Sequence, residues 1–402
     1  MSVSRIIVLS YLMVVCTYSV AKDLKVGTGI APPYQLKIGD SVGGSVVDLV
    51  QCVLEKGSVP YSISVYPWKR NTRYLKSDKL DVVFSLIENS DLDATAVFSA
   101  PLVLEKWYWY GKSKLNPKKK DMAISVVSGS NQEAWLKGQG YTKVKPVSSL
   151  NSAMKMMSTD RVDSLLTDRE SALIYSKESG DNLDNYNAKF QRFSELGAYI
   201  SKAYTSTHPG FLANFNKNIF SCKPVGVVLD NSSLSSLKDI ATGITQWMNN
   251  GVVLSGINEA NAQHKNISEA DIILLDKQWR KEKKSKQHKM ITTTLANDVS
   301  AYLKKIKKDN DGLYSEIFVM DEHGMNVGQS DITSDYWQGD EAKFKKSFSG
   351  DGGPFIDDIE YDESSRTFQS QISLAIVDLA SNKRIGAITV GVNIERALES
   401  SD

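Results

Sequence analysis

Apolar positions along the chain follow two periods, and they change over near Cys222. Upstream, short apolar runs alternate with stretches whose apolar residues recur three and four apart. Leu24-Lys25-Val26-Gly27-Thr28 reads as a strand running into a Pro32-Pro33 turn that presents Tyr34. In Gly44–Lys56, Val46, Val47, Leu49, Val50, Val53 and Leu54 share one helical face, and Gly57 closes it. Ser62–Tyr66 predicts a second strand, Trp68–Leu75 a short helix, and Val82-Val83-Phe84 a third strand. The alternation resumes at Ala123 with the strand Ala123–Val127, a Gly129-Ser130 turn, a helix through Trp135 and the strand Ser164–Leu166. Strands and helices alternating at this spacing argue for parallel α/β sheets.

Beyond Cys222, Leu234–Asn250 reads as a helix and Gly251–Asn266 as a polar connector. Ile267-Ser268-Glu269 opens a long helical pattern with Ile272, Leu275 and Trp279 on one face. From Tyr314 the period drops to two. Glu316–Met320, the Asp321–Gly324 turn and Asn326–Gln329 predict a hairpin, and Tyr336–Phe348 a short helix. Three further strands follow at Phe355–Tyr361, Thr367–Val377 and Arg384–Asn393.

The extreme N-terminus changes the picture of where this chain works. Arg5, the apolar run Ile6–Val15 and the small-residue site Ser19-Val20-Ala21 have the form of a secretory leader cleaved after Ala21. The run is shorter than the roughly 20 apolar residues of a membrane span. Removing the leader leaves 47 basic against 47 acidic residues, so no global charge favours nucleic acid. It also leaves two cysteines, Cys52 and Cys222. In an oxidising compartment they predict a bridge, with two buried thiols as the alternative. The four histidines His208, His264, His288 and His323 fall at no metal-ligand spacing, and nothing calls for a cofactor. Charge is local instead: residues 277–308 hold 11 basic residues against Glu282 and Asp298, either a solvated face or a contact for an anionic surface or acidic partner. The acidic stretch Asp351–Glu363 could complement it.

Val26-Gly27-Thr28…Pro33-Tyr34, Gly44…Asp48-Leu49, Pro67-Trp68-Lys69-Arg70…Lys79-Leu80-Asp81, Phe98-Ser99-Ala100-Pro101, Ser128-Gly129-Ser130 and Arg161-Val162-Asp163…Asp168 occur in one order over about 200 residues. Together they resemble the family-3 periplasmic solute-binding proteins. The resemblance implies two α/β lobes over residues 22–225, joined by a hinge, with a small-molecule ligand in the cleft. It places Tyr34 and Trp68 as aromatic walls, Ser130 as an anion donor opening a helix, and Asp168 against a ligand ammonium. Arg70, Ser85 and Glu88 complete the candidate set. One departure stands out: amino-acid binders carry an Arg before the Phe-Ser-x-Pro segment that grips the ligand carboxylate. Here that position falls at or beside Asp93, and no Arg lies between Arg73 and Arg161. Glu88, Asp93 and Asp168 point to a cationic or polyol ligand, or to a lobe pair that has lost its ligand.

After a connector over 226–256, residues 257–402 resemble a single Cache (PAS-like) sensor domain. Its most specific stretches are Glu316–Asp321, Asn326–Asp331, Asp335–Asp340 and Gly386–Val392. The resemblance implies an α+β domain with a five-stranded antiparallel sheet and a long N-terminal helix. It makes Ser330, Asp331, Tyr336, Trp337 and Gln369 candidates for a second ligand pocket. No nucleophile-base constellation or Gly-x-Ser-x-Gly elbow marks an enzyme. The chain therefore reads as a periplasmic, non-enzymatic binding protein that signals to a membrane receptor, kinase or permease. The alternative is a solute-delivery subunit of an ABC-type importer with an accessory Cache part.

Overall fold

The computed structural model describes residues 23–399 except 228, 230, 287, 363–366 and 379; the leader at 1–21 lies outside them. Nine strands form one long sheet in the order Tyr61–Val65, Leu24–Thr28, Val82–Leu86, Asn187–Ser201, Val103–Gly111, Ser164–Asp168, Ile124–Val127 and Val144–Val147, with Ala96–Phe98 also paired to Asn187–Ser201. The strands at each end pair in parallel, whereas the two in the middle pair antiparallel with their neighbours. Val82–Leu86 and Val103–Gly111 are buried at every position, as parallel or two-faced strands require.

This sheet is shared by two lobes. The 15-residue strand Asn187–Ser201 pairs Leu196 with Val103 and then Gly197 with Leu86, so it passes from one lobe to the other at that step. Helices Ser45–Lys56, Trp68–Lys76 and Phe211–Cys222 flank the first lobe, and Asn131–Gly138, Leu150–Ser158 and Arg169–Ser179 the second. Cys52 and Cys222 form a disulfide that ties the first lobe's opening helix to its last, 170 residues later.

The chain leaves the lobes at their crossover. Val225 donates its N–H to Leu102 O at 2.8 Å and accepts from Leu104 N at 3.0 Å, and Val227 exchanges backbone hydrogen bonds with Ile359. A second, antiparallel sheet then runs Asn326–Gln329, Tyr314–Asp321, Lys383–Asn393, Thr367–Asp378 and Phe355–Ile356. It has six strands rather than five: the edge predicted over 355–361 splits into Phe355–Ile356 and Glu360–Asp362, both on Thr367–Asp378. Period-two alternation sorts its faces. Ile317, Val319, Ile372, Leu374, Ile388, Val390 and Val392 enter one core, while Phe318, Met320 and Ala387 meet Phe344 on the other side.

The polar connector expected over Gly251–Asn266 is a helix, Gly251–His264, capped by Asn250. Its Val253 and Ile257 are fully buried in the sheet's core beside Leu237, Ala241, Ile244 and Met248 of the helix Asn231–Met248. Two well-placed apolar residues a turn apart suffice for a helix when the face they make is covered. The long helix expected from Glu269 ends at Glu282, and the helix expected from Tyr336 begins only at Ala342. There the Tyr336 and Trp337 backbone N–H groups donate to Asp276 Oδ1 at 3.0 and 3.2 Å.

The basic stretch separates into two parts. Lys305 and Lys307 pair with Asp309 and Asp331, and Lys304 donates to Leu295 O. Among the described residues, Lys277, Lys281, Lys283, Lys284 and Lys286 form no ion pair, and Leu274 on the same helix is 68 % exposed. No helix among the described residues is long and apolar enough to cross a membrane.

Candidate functional site

Both lobes contribute to a cavity of about 530 Å³ between them. The first lobe presents Gly29, Gln35, Tyr66, Trp68 and Ser85. The second presents Glu105, Ser130, Asn131, Gln132, Asp168 and Tyr175. Hydrogen bonds close its rim. Asn131 donates from Nδ2 to Ser85 O at 2.9 Å and accepts from Ile87 N at 3.1 Å, and Ser171 Oγ donates to Pro32 O at 2.6 Å.

Local rules explain how each group is aimed. Ser130 and Asp168 are N-caps, accepting from Glu133 N at 3.2 Å and Ser171 N at 2.9 Å, so both side chains are held at helix starts facing the cleft. Asp168 also accepts from Lys106 N at 3.1 Å. Glu105 is the third residue of the fully buried strand Val103–Gly111. Alternation turns its carboxylate into the cleft, while Leu104 and Lys106 point away from it. Glu105 Oε2 accepts from Trp107 Nε1 at 2.7 Å and Gln132 Nε2 at 3.2 Å.

The two carboxyl groups are buried together without a counter-cation: neither forms an ion pair among the described residues. Burial, and after it the Asp168 charge, pushes Glu105 up to about 8. Burial also pushes Asp168 up to about 6, against the Ser171 and Lys106 N–H groups that favour its ionised form. Tyr34 is raised well above its usual range, first by burial and then by the Asp168 charge.

Of the residues expected in this cleft, Trp68, Ser85, Ser130 and Asp168 line it. Tyr34 does not. It is a core residue 4 % exposed, whose phenol engages Asp168 from behind. Arg70 is exposed on the helix Trp68–Lys76, because only one helical face can meet the cleft and Trp68 occupies it. Glu88 is exposed outside the cleft, beside Trp135 and Arg192, and Asp93 accepts from Tyr199 OH at 2.7 Å. The cleft acid that sequence reasoning passed over is Glu105, and its place in the apolar run Val103–Gly111 is the signal.

The candidates in the second domain are not brought together. Ser330 and Asp331 sit beside Lys307, which donates to both Asp331 carboxylate oxygens at 2.7 Å. Tyr336 packs on Trp279, with ring centroids 5.5 Å apart, and Trp337 Nε1 donates to His323 O at 2.9 Å. Gln369 donates to Glu316 Oε1 at 2.8 Å and opens on another cavity, beside Lys343 and Asp362. Ser330 and Asp331 follow the strand Asn326–Gln329 toward Lys307, whereas Tyr336 and Trp337 lie in the irregular segment beyond it, held to Asp276 of the helix Glu269–Glu282.

No protein-family model matches the chain, and no curated protein does. Among solved structures, the sensor domain of a histidine kinase with similarity to periplasmic binding proteins is 14 % identical with a TM-score of 0.44, covering 50 % of this chain and 90 % of that one. An ancestral arginine-binding protein bound to arginine is 22 % identical with a TM-score of 0.41, covering 50 % and 91 %. A histidine-bound substrate-binding protein of an ABC uptake transporter from Streptococcus pneumoniae is 19 % identical with a TM-score of 0.43, covering 50 % and 86 %. At those values the likenesses are ones of outline, over half of the chain.

Proposed function

We propose that this chain is an exported receptor for a small solute, which its two lobes close upon, and that its second domain, read as a Cache-like module, reports the closure to a membrane partner. The observation that carries this reading is the double use of Val103–Gly111. Glu105 forms part of the cleft wall. Leu104, its neighbour, belongs to the same core as Val227, Ile359 and Phe368, and Lys106 Nζ donates to Ser233 Oγ on the second domain's first helix at 2.7 Å. A shift of this strand on closure therefore moves residues on both sides. Delivery to an importer requires no such bond to a further domain, so the shared strand favours signalling. The lysines of Glu269–Glu282 and the segment after it, with exposed Leu274, supply a surface for an anionic or acidic partner.

A thermal-shift screen of the full chain against a solute library identifies a ligand, and hydrogen–deuterium exchange with that ligand tests the coupling. Added protection in Asn231–Met248 and Lys383–Asn393 as well as in the lobes is the expected result. Protection confined to the lobes refutes signalling, and no stabilisation by any solute refutes the binding reading itself.

A further inference from the structure

On the reading that the cleft binds a solute, we infer that its ligand is a small organic amine without a carboxylate, held between Glu105, Asp168 and the side-chain carbonyl of Gln35. The first observation is the charge of the walls. Glu105, Asp168 and Glu178 line the cavity, and none of its lining residues is Lys or Arg. Glu105 and Asp168 are 6 % and 2 % exposed and share the space without a cation. An isolated pair of buried carboxyl groups is costly, and a ligand ammonium is the group that removes the cost. A zwitterionic amino acid or a dicarboxylate would bring a second negative group that no Lys or Arg of the lining meets.

The second observation is independent of charge. Gln35 is fully buried and lines the same cavity; its amide nitrogen donates to Ser85 Oγ, while its Oε1 has no partner among the described residues. A buried carbonyl left open in a wall of acceptors calls for a donor from the ligand. An ammonium has three. Trp68, Tyr66 and Tyr175 complete the lining, and their rings suit the methylenes next to a charged nitrogen. A neutral polyol supplies donors too, yet brings no positive charge to the two carboxyl groups.

The titratable groups that act on Glu105 and Asp168 are Glu170 and Tyr34, with Glu178, Tyr66 and Tyr175 along the lining; of the neighbouring cations, Lys106 turns its Nζ to Ser233 and Arg169 lies over the Tyr108 ring, and neither lines the cavity. Burial raises both carboxyl groups, Glu105 the further, so the pair keeps a proton to higher pH than exposed carboxyl groups do. An incoming ammonium takes that proton's place, so binding releases it to solvent.

Calorimetry on the full chain tests this with 1,4-diaminobutane, butylamine, glutarate, glutamate and myo-inositol, each run at pH 7 in two buffers of different ionisation enthalpy. The expected result is that one or both amines bind and release a fraction of a proton, and that the three others are silent. Glu105→Gln should then weaken amine binding by about tenfold or more, the loss expected for one charged hydrogen bond. It should at the same time raise the melting temperature of the free protein at pH 8, an opposition that a merely structural role would not produce. If glutarate, glutamate or inositol binds and the amines do not, the amine assignment is overturned while the cleft stands as a solute site. If amines bind with no proton release and Glu105→Gln leaves their affinity unchanged, Glu105 is not the selecting group and the inference fails. If none of the five binds, the amine assignment falls, and the wider solute screen decides the fate of the cleft.

Discussion

Replacing Leu104 with Ala measures how far the two halves of this molecule share one core. Leu104 is 2 % exposed, and although its strand belongs to the lobes, its side chain joins the core of the second domain. The truncation removes three carbons, about 2.4 kcal/mol at ~0.8 kcal/mol per buried methylene. A void on the order of 70 Å³ that does not collapse adds up to ~1.7 kcal/mol, so the total lies at about 2.5–4 kcal/mol. Calorimetry should show the melting temperature fall by a few degrees. The decisive assay is amide exchange. If the core is continuous, amides in Tyr314–Asp321 and Lys383–Asn393 that exchange when the second sheet opens apart from the lobes should speed up by roughly 100-fold. Met154→Ala, in the second lobe's own core, serves as the control that leaves those strands unchanged. Loss of protection confined to the lobe strands in Leu104→Ala would refute the shared core, and with it the proposed route from cleft to second domain.

Three further outcomes follow from particular contacts. Replacing Cys52 and Cys222 by Ser frees a loop with a sequence separation of 170 and should cost about 2–5 kcal/mol in urea unfolding, with no change when the wild type is already reduced. Gly29→Ala places its Cβ on the Trp68 indole, so the ring must leave the cleft wall; ligand affinity should fall at least tenfold while the melting temperature moves little. The pH dependence has a definite sign. Glu105 titrates higher folded than unfolded, so its contribution to stability is complete below the ordinary carboxylate range and is lost as pH rises toward about 8. The melting temperature of the free protein should decline over that window, and Glu105→Gln should flatten the decline.

The local pattern of this chain determined most of its elements, and the two cysteines left after the leader pointed to the bridge that joins them. Helix faces such as Val46–Leu54, strands such as Leu24–Thr28, and caps such as Ser130 depend on residues a turn or less apart, so they are written where they act. The same holds for the strands of the second sheet. What depended on remote partners was not legible. Gly251–His264 is polar enough to read as a connector, and it is a helix because a distant sheet covers Val253 and Ile257. Tyr34 and Glu105 exchanged roles for the same reason: the packing of the first lobe put the tyrosine behind the wall, and the sheet order put a glutamate from an apolar strand into it. Within the second domain, the five candidates went to separate partners: Asp331 to Lys307, Tyr336 and Trp337 to Asp276, and Gln369 to Glu316, each on another element. The sequence by itself determined that two unlike halves exist and where each folds; only tertiary structure decided that they meet on one strand, because pairing and burial between residues far apart in the chain are set by the assembled sheet.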